Sequence, residues 1–235
     1  MKLVDLIQST LPKYSDTIPS TNKKIWFRPF IVKEEKILLI VQETGSEKEI
    51  LSAIKEIVQN CFSITDAGDI PIFDLEYLFL KLRSKSVSEL VEPILICPET
   101  GEKIKLSIDL NKIKIKTFKK HTNQIKINDE ILISMKYPTL NMFIEKETSD
   151  MSLMDFYELA MNCIDYIETP SERIECSSKD KLEIKEFVDN LTKDQFDKII
   201  EFFATMPRIE QEVEYQTSDK VKRKVVLRGI RDFFG

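Results

Sequence analysis

The stretch Asp74–Ser86, DLEYLFLKLRSKS, is apolar on two opposite sides, and a helix of that kind has to be covered twice. At about 100° per residue, Leu75, Leu78, Phe79 and Leu82 recur at the spacing of a core-facing stripe. Phe73, Tyr77 and Leu80 gather on the far side, divided from that stripe by Glu76 and Arg83 on one flank and by Lys81 and Lys85 on the other. The second cover is either another layer of the same chain or a partner protein, because an exposed apolar patch of this size marks an interaction surface. A chain of 235 residues can supply such layers, as one large domain or as two modest ones.

The rest of the chain reads as an α+β protein with a helical N-terminal part, a small antiparallel sheet in the middle and a helical second half ending in a β-hairpin. IWFRPFIV, Ile25–Val32, predicts a strand in which Pro29 marks an edge or an end. Helical spacing follows from about Lys33 to Glu43, with Gly45 as a stop. Ser46 and Glu49 make a capping box for a second helix to about Asn60, and Asp69 and Pro71 introduce the doubly apolar one. Beyond Val87 the period becomes that of strands. In EPILICPETGEKIKLSIDL, Ile104, Leu106, Ile108 and Leu110 alternate with polar residues, and KIKIKTF continues the alternation. QIKINDEILISM predicts a hairpin turning at Asn128-Asp129, so four to five strands form one small sheet. Helical spacing returns in LNMFIEKE and in SLMDFYELAMNCIDYIE, which ends before Pro170. KLEIKEFVDNL follows, then a capping box, Thr192 to Gln195, that opens DQFDKIIEFFATM. The alternation around Ser218-Asp219 predicts a last hairpin, followed by RGIRDFFG. Two regions result, 1–137 and 138–235.

Composition excludes much. The five glycines are scattered singly, so no phosphate-cradling loop can form in the usual way. His121 is the only histidine, set in what reads as an exposed loop, so no histidine-based triad or multi-histidine metal site fits within one chain. Cys61, Cys97, Cys163 and Cys176 form no C-x-x-C pair and read as reduced thiols. CPETG, Cys97–Gly101, has the outline of a zinc knuckle with Thr100 in place of the second thiol, so it reads as a hairpin turn in which hydrogen bonds replace a metal. No catalytic residue, cofactor site or metal site is expected. MKLVDLIQST carries Asp5 within its short apolar run, unlike a signal peptide, and ILLIV, Ile37–Val41, is far too short for a membrane span.

Two stretches read as partner surfaces. One is Phe73, Tyr77 and Leu80. The other is the chain end, where every ionisable residue from Lys220 to Arg228 is basic, as is Arg231, and Leu227, Ile230, Phe233 and Phe234 add apolar groups. With Arg228 and Arg231, that end either folds back on its own core or docks into a neighbour's groove. Lys112, Lys114 and Lys116 lie on one side of a strand, where they attract an acidic partner or discourage unwanted strand pairing. A nucleic-acid-associated protein using these basic patches is the alternative. The net charge of −5 and the lack of interleaved aromatics count against it, so no nucleic acid is expected as a partner.

Leu11–Ser46 together with Ile70–Glu92 resembles the baseplate hub assembly proteins of T4-type contractile-tailed bacteriophages. The resemblance rests on an ordered set: the P-S-T of Pro19–Thr21, the R-P-F of Arg28–Phe30, the K-E-E-K of Lys33–Lys36 and the L-R-S-K-S of Leu82–Ser86. Past about Met135 the reading rests on periodicity alone. The resemblance implies a non-enzymatic role in building or forming the central hub, with other baseplate hub or tail proteins as partners and no membrane. It places the chain in the host cytoplasm during assembly or in the tail baseplate of the virion. Whether such a protein stays in the particle or acts as an assembly chaperone is open, as is its oligomeric state.

Overall fold

The structure is a computed structural model that describes residues 10–44, 47–144, 152–178 and 181–234. Gly45, Ser46 and the first nine residues, to which three of the expectations above attach, lie outside the described residues. Along the chain, β1 (Tyr14–Ile18) and β2 (Lys23–Phe27) form an antiparallel hairpin, with Asn22 in the left-handed region at its turn. The strand expected over Ile25–Val32 therefore starts earlier and stops before Pro29, which cannot donate to a ladder. Helices α1 (Val32–Thr44), α2 (Glu47–Cys61) and α3 (Ile72–Ser86) follow. α2 shows why its sequence is helical: Ile54, Ile57, Val58 and Cys61 recur at i, i+3, i+4 and i+7, and all are buried.

Next come β3 (Leu90–Val91), β4 (Ile94–Ile96), β5 (Lys103–Lys105), β6 (Ile108–Asp109) and β7 (Ile115–Lys116). They do not make the single sheet that their alternation predicts. β3 pairs with β6 and β4 with β5, each as a two-stranded antiparallel sheet. Two local features divide them. Pro93 and Pro98 bracket β4, and the Asp109 carboxylate accepts the Asn111 N–H at 3.0 Å, which turns Leu110–Lys112 into a 3-10 helix.

Then follow β8 (Gln124–Lys126), β9 (Leu132–Met135), α4 (Leu140–Ile144), α5 (Leu153–Asn162), β10 (Ile164–Glu168), β11 (Arg173–Glu175), a 3-10 turn at Cys176–Ser178, α6 (Lys181–Asp189) and α7 (Lys193–Thr205). The chain closes with β12 (Arg208–Gln216), β13 (Lys222–Arg228) and the short α8 (Arg231–Phe234). The class is mixed α+β.

Two compact units result: Met1–Lys116 with Arg208–Gly235, and Thr117–Pro207. The division expected after residue 137 is thus replaced by one in which the final hairpin belongs with the N-terminal part. Strand pairing is the reason: Arg208 and Ile209 of β12 pair with Lys116 and Ile115 of β7, giving the sheet β13-β12-β7. In this first unit α3 packs against α2, the 3-10 helix and β12, which supplies both covers that its two stripes demand. Phe27 and Phe62 stack at 4.7 Å and join the β1-β2 hairpin to the end of α2.

The second unit is a four-stranded antiparallel sheet, β11-β10-β9-β8, with helices that complete its core. The hairpin turn is where it is expected, Asn128 Oδ1 accepting the N–H groups of Glu130 and Ile131. The capping box of α7 also forms, with reciprocal bonds between Thr192 and Gln195. One correction is large. SLMDFYELAMNCIDYIE is not one helix: α5 stops at Asn162 and Ile164–Glu168 becomes the strand β10, paired on both sides. Ile164 and Ile167 are both buried there, and cross-strand packing outweighs the helical spacing. His121 is the second correction, being half-buried rather than in an open loop. Thr205 donates its hydroxyl to Glu201 O at 2.7 Å and so accepts from His121 Nδ1 at 3.0 Å, leaving Nε2 to accept from Tyr137 Oη at 2.9 Å. The ring also stacks on Tyr137, and burial lowers its pKa.

Candidate interface site around the third helix

α3 holds two distant turns of the first unit through carboxylates of its first two turns. Asp74 is fully buried, and its Oδ1 accepts the Ser20 N–H at 3.1 Å. Its Oδ2 has no hydrogen-bond partner among the described residues, and burial pushes the carboxyl up to about 6. Glu76 Oε1 accepts the Ile230 N–H at 3.1 Å, and burial pushes that carboxyl up to about 7. Gly229 beside it has φ +62°, and a Cβ there would lie 3.0 Å from Glu76 Oε1. Both the left-handed backbone and the close approach favour glycine.

A second set of bonds fixes the start of α1. Arg28 Nη2 meets Glu34 Oε1 at 3.0 Å and donates to Asn60 O at 3.3 Å, while Nη1 donates to Pro29 O at 3.0 Å. Glu34 Oε2 accepts the Ile31 N–H at 2.9 Å, satisfying a donor at the helix start. Burial opposes ionisation of Glu34, but Arg28 and that N–H outweigh it and hold the carboxyl below its ordinary value. The Phe30 N–H reaches Ser86 Oγ at 3.0 Å, and Ser86 in turn donates to Leu82 O at 2.7 Å. The P-S-T, R-P-F, K-E-E-K and L-R-S-K-S segments are therefore tied together around α3. They form a scaffold, and the Arg28 terminal nitrogens are already engaged.

A family match decides what this scaffold belongs to: the family described as T4 bacteriophage base plate protein matches residues 11–235. The chain belongs to that family. No curated protein and no solved structure matches it. The match covers both units of this baseplate protein, including the half past Met135 that periodicity alone described.

The side chains singled out as partner surfaces in the baseplate protein are mostly not on its surface. Phe73 and Leu80 are buried, and so are Leu227, Ile230 and Phe233, the last with 1% of its surface exposed. This corrects their assignment to an interface, since a side chain without accessible area cannot touch a partner in the folded chain. Tyr77 is half-buried with Lys81 Nζ 5.2 Å from its ring centre, and burial, then Asp16, pushes its hydroxyl up to about 12. Arg228 is exposed, its Nε 3.3 Å from Glu210 Oε2. Arg231 and Phe234 belong to α8, and their side chains lie outside the described ones.

The CPETG turn closes by Cys97 N–H to Glu102 O at 2.9 Å and Gly101 N–H to Cys97 O at 2.8 Å. The Thr100 hydroxyl bonds the Cys97 sulfur and, against desolvation and with help from Tyr215, lowers the thiol to about 7. Among the described residues no group of three or more His, Cys, Asp or Glu could hold a metal ion, and no helix is long and apolar enough to cross a membrane. The apolar groups that are exposed are others: Trp26 on β2, Leu39 and Ile40 on α1, and Ile94 and Ile96 on β4. They sit at a hairpin, on a helix of low amphipathicity and on a short strand, where apolar spacing carries no signal of exposure.

Proposed function

We propose that this baseplate protein is a component or assembly factor of the baseplate hub that works through protein-protein interfaces and catalyses no reaction. Family membership over residues 11–235 carries the reading, and the hub assignment rests on the ordered motifs of the N-terminal half. The geometry agrees with it. Most of the polar groups clustered around α3 bond to each other or to backbone as a scaffold, and among the described residues they do not surround a place for a reacting atom. The nucleic-acid alternative is weaker, because many of its cations are paired: Lys112 with Asp109, Lys116 with Glu210, Lys126 with Asp129 and Lys224 with Glu212.

The test is affinity purification of the tagged full chain from infected cells and, separately, mass spectrometry of purified virions. Other baseplate proteins should accompany it in the lysate. Copies in the virion identify a structural component, and copies in the lysate alone identify an assembly factor. Recovery without any tail protein in either sample defeats the reading.

A further inference from the structure

β13 is the outer strand of the sheet β13-β12-β7, with no strand beside its other edge among the described residues. Hydrogen-bond parity fixes which of its groups face outward. Gly229 N–H donates to Ile209 O at 3.3 Å, so the pairs that exchange bonds with β12 continue as Leu227 with Gln211, Val225 with Val213 and Arg223 with Tyr215. Lys222, Lys224 and Val226 therefore turn their N–H and C=O groups away from β12, and none of these groups has a hydrogen-bond partner among the described residues. The edge ends at Arg228, whose N–H is taken by Asp232 Oδ2 at 2.7 Å.

The side chains say which strand would fit. Lys222, Lys224 and Val226 are all exposed, on the face where β12 presents Gln216, Glu214 and Glu212 opposite them. Lys224 Nζ meets Glu212 at 2.6 Å and Glu214 at 3.5 Å, so the inner side of this basic row is matched by two carboxylates, and among the described residues no such pair is seen on the outer side. A second copy of β13 does not fit, since antiparallel pairing centred on Val225 sets Lys222 opposite Arg228 twice, and like charges directly opposite destabilise a sheet. Lysines on an edge discourage neutral and basic strands for the same reason, which leaves acidic ones.

We propose that the outer edge of β13 takes up an extended acidic segment of a partner protein as a further strand of this sheet. The segment carries carboxylates opposite Lys222 and Lys224, the chemistry that Glu214 of β12 offers Lys224 on the other side. This deepens the interface reading above and is tested apart from it: a chain found in baseplates that fails the test below keeps that reading and loses this one.

The probe is a fluorescent peptide of the sequence RIEQEVEYQ, which is β12 itself, titrated against the full chain at low salt and read by anisotropy. Binding is expected to weaken on adding salt and to vanish when the peptide's glutamates are replaced by lysines. Lys222→Glu, which breaks no ion pair among the described residues, should weaken it about threefold, and Lys222→Glu with Lys224→Glu at least tenfold. Should the double variant melt early, the single one decides. Hydrogen exchange should slow at the amides of Lys222, Lys224 and Val226. No binding, equal binding to the charge-reversed variants, protection elsewhere, or displacement of the peptide by single-stranded DNA in its place would each overturn the proposal.

Discussion

Replacing Glu76 by Gln should remove a pH dependence that this carboxyl imposes on the first unit. Its folded value of about 7 stands above the ordinary 4.5, so the folded state holds a proton that the unfolded chain has already lost over that interval. The associated stability is complete below about 4.5 and is lost as pH rises through about 7. The separation corresponds to about 3 kcal/mol at most, or roughly 6–12 °C in melting temperature for a chain of this size. Gln keeps an oxygen for the Ile230 N–H and carries no charge at any pH. At pH 8 the variant should therefore be the more stable by up to about 3 kcal/mol, and at pH 4.5 the two should agree within about 1 kcal/mol. Urea titrations of both proteins at pH 4.5, 6 and 8 measure this, and an Asp74→Asn background removes the parallel effect of the other raised carboxyl. Exchange at the Ile230 amide, which should quicken with pH beyond its intrinsic rise only in the wild type, locates the change. A wild-type stability that falls no more than the variant's between pH 4.5 and 8 would refute the reasoning.

Other outcomes follow from the same geometry. Gly229→Ala should destabilise by about 1–2 kcal/mol, since Ala is strained in the left-handed region and its Cβ would crowd Glu76 Oε1; urea midpoints check this. Phe233→Ala should cost about 3–5 kcal/mol in the same assay as a core residue, and a loss of partner binding with unchanged stability would restore the docking reading. His121 should give the second unit the opposite slope to Glu76. Its folded value lies below the ordinary 6.5, so its contribution is complete above about 6.5 and is lost as pH falls from there toward the lowered value. Histidine proton shifts followed from pH 8 to 5, together with urea midpoints for wild type and His121→Gln, measure it, and a folded value at or above 6.5 contradicts the burial argument.

What could be read from the chain depended on how far apart the deciding residues lie. α2 and α7 were legible because their stripes and the Thr192–Gln195 box are local, and the Asn128 turn for the same reason. β10 was not, because Ile164–Glu168 continues a helical spacing and becomes a strand only through pairing with β9 and β11. The letters of β7 predict a strand but not its neighbour, since Ile115 pairs with Ile209, far along the chain. The candidate site divides in the same way. The doubly apolar character of α3 was plain in the letters, whereas the identity of its covers depends on β12, far away in sequence. Glu76 appeared only as a flank between two stripes, although it is the residue that reaches the turn at Ile230.

The misplacement of the interface has a common physical cause. Apolar spacing finds side chains that fold together, so residues it picks out, Phe73, Leu80 and Phe233 among them, are ones the chain buries for itself. A surface kept for a partner must instead be tolerable in water before the partner arrives, which favours alternating charges and unpaired backbone over a continuous greasy stripe. β13 has that character: its outward N–H and C=O groups are hydrated while free, and its lysines keep the edge soluble until an acidic strand replaces the water. Such a site cannot be read from composition, because Lys222, Lys224 and Val226 are of the same chemical types as their neighbours Arg223 and Val225 and are told apart by the direction in which backbone and side chain face. That direction is set by the pairing of Gly229 with Ile209, a fact of register that exists only once the hairpin has formed.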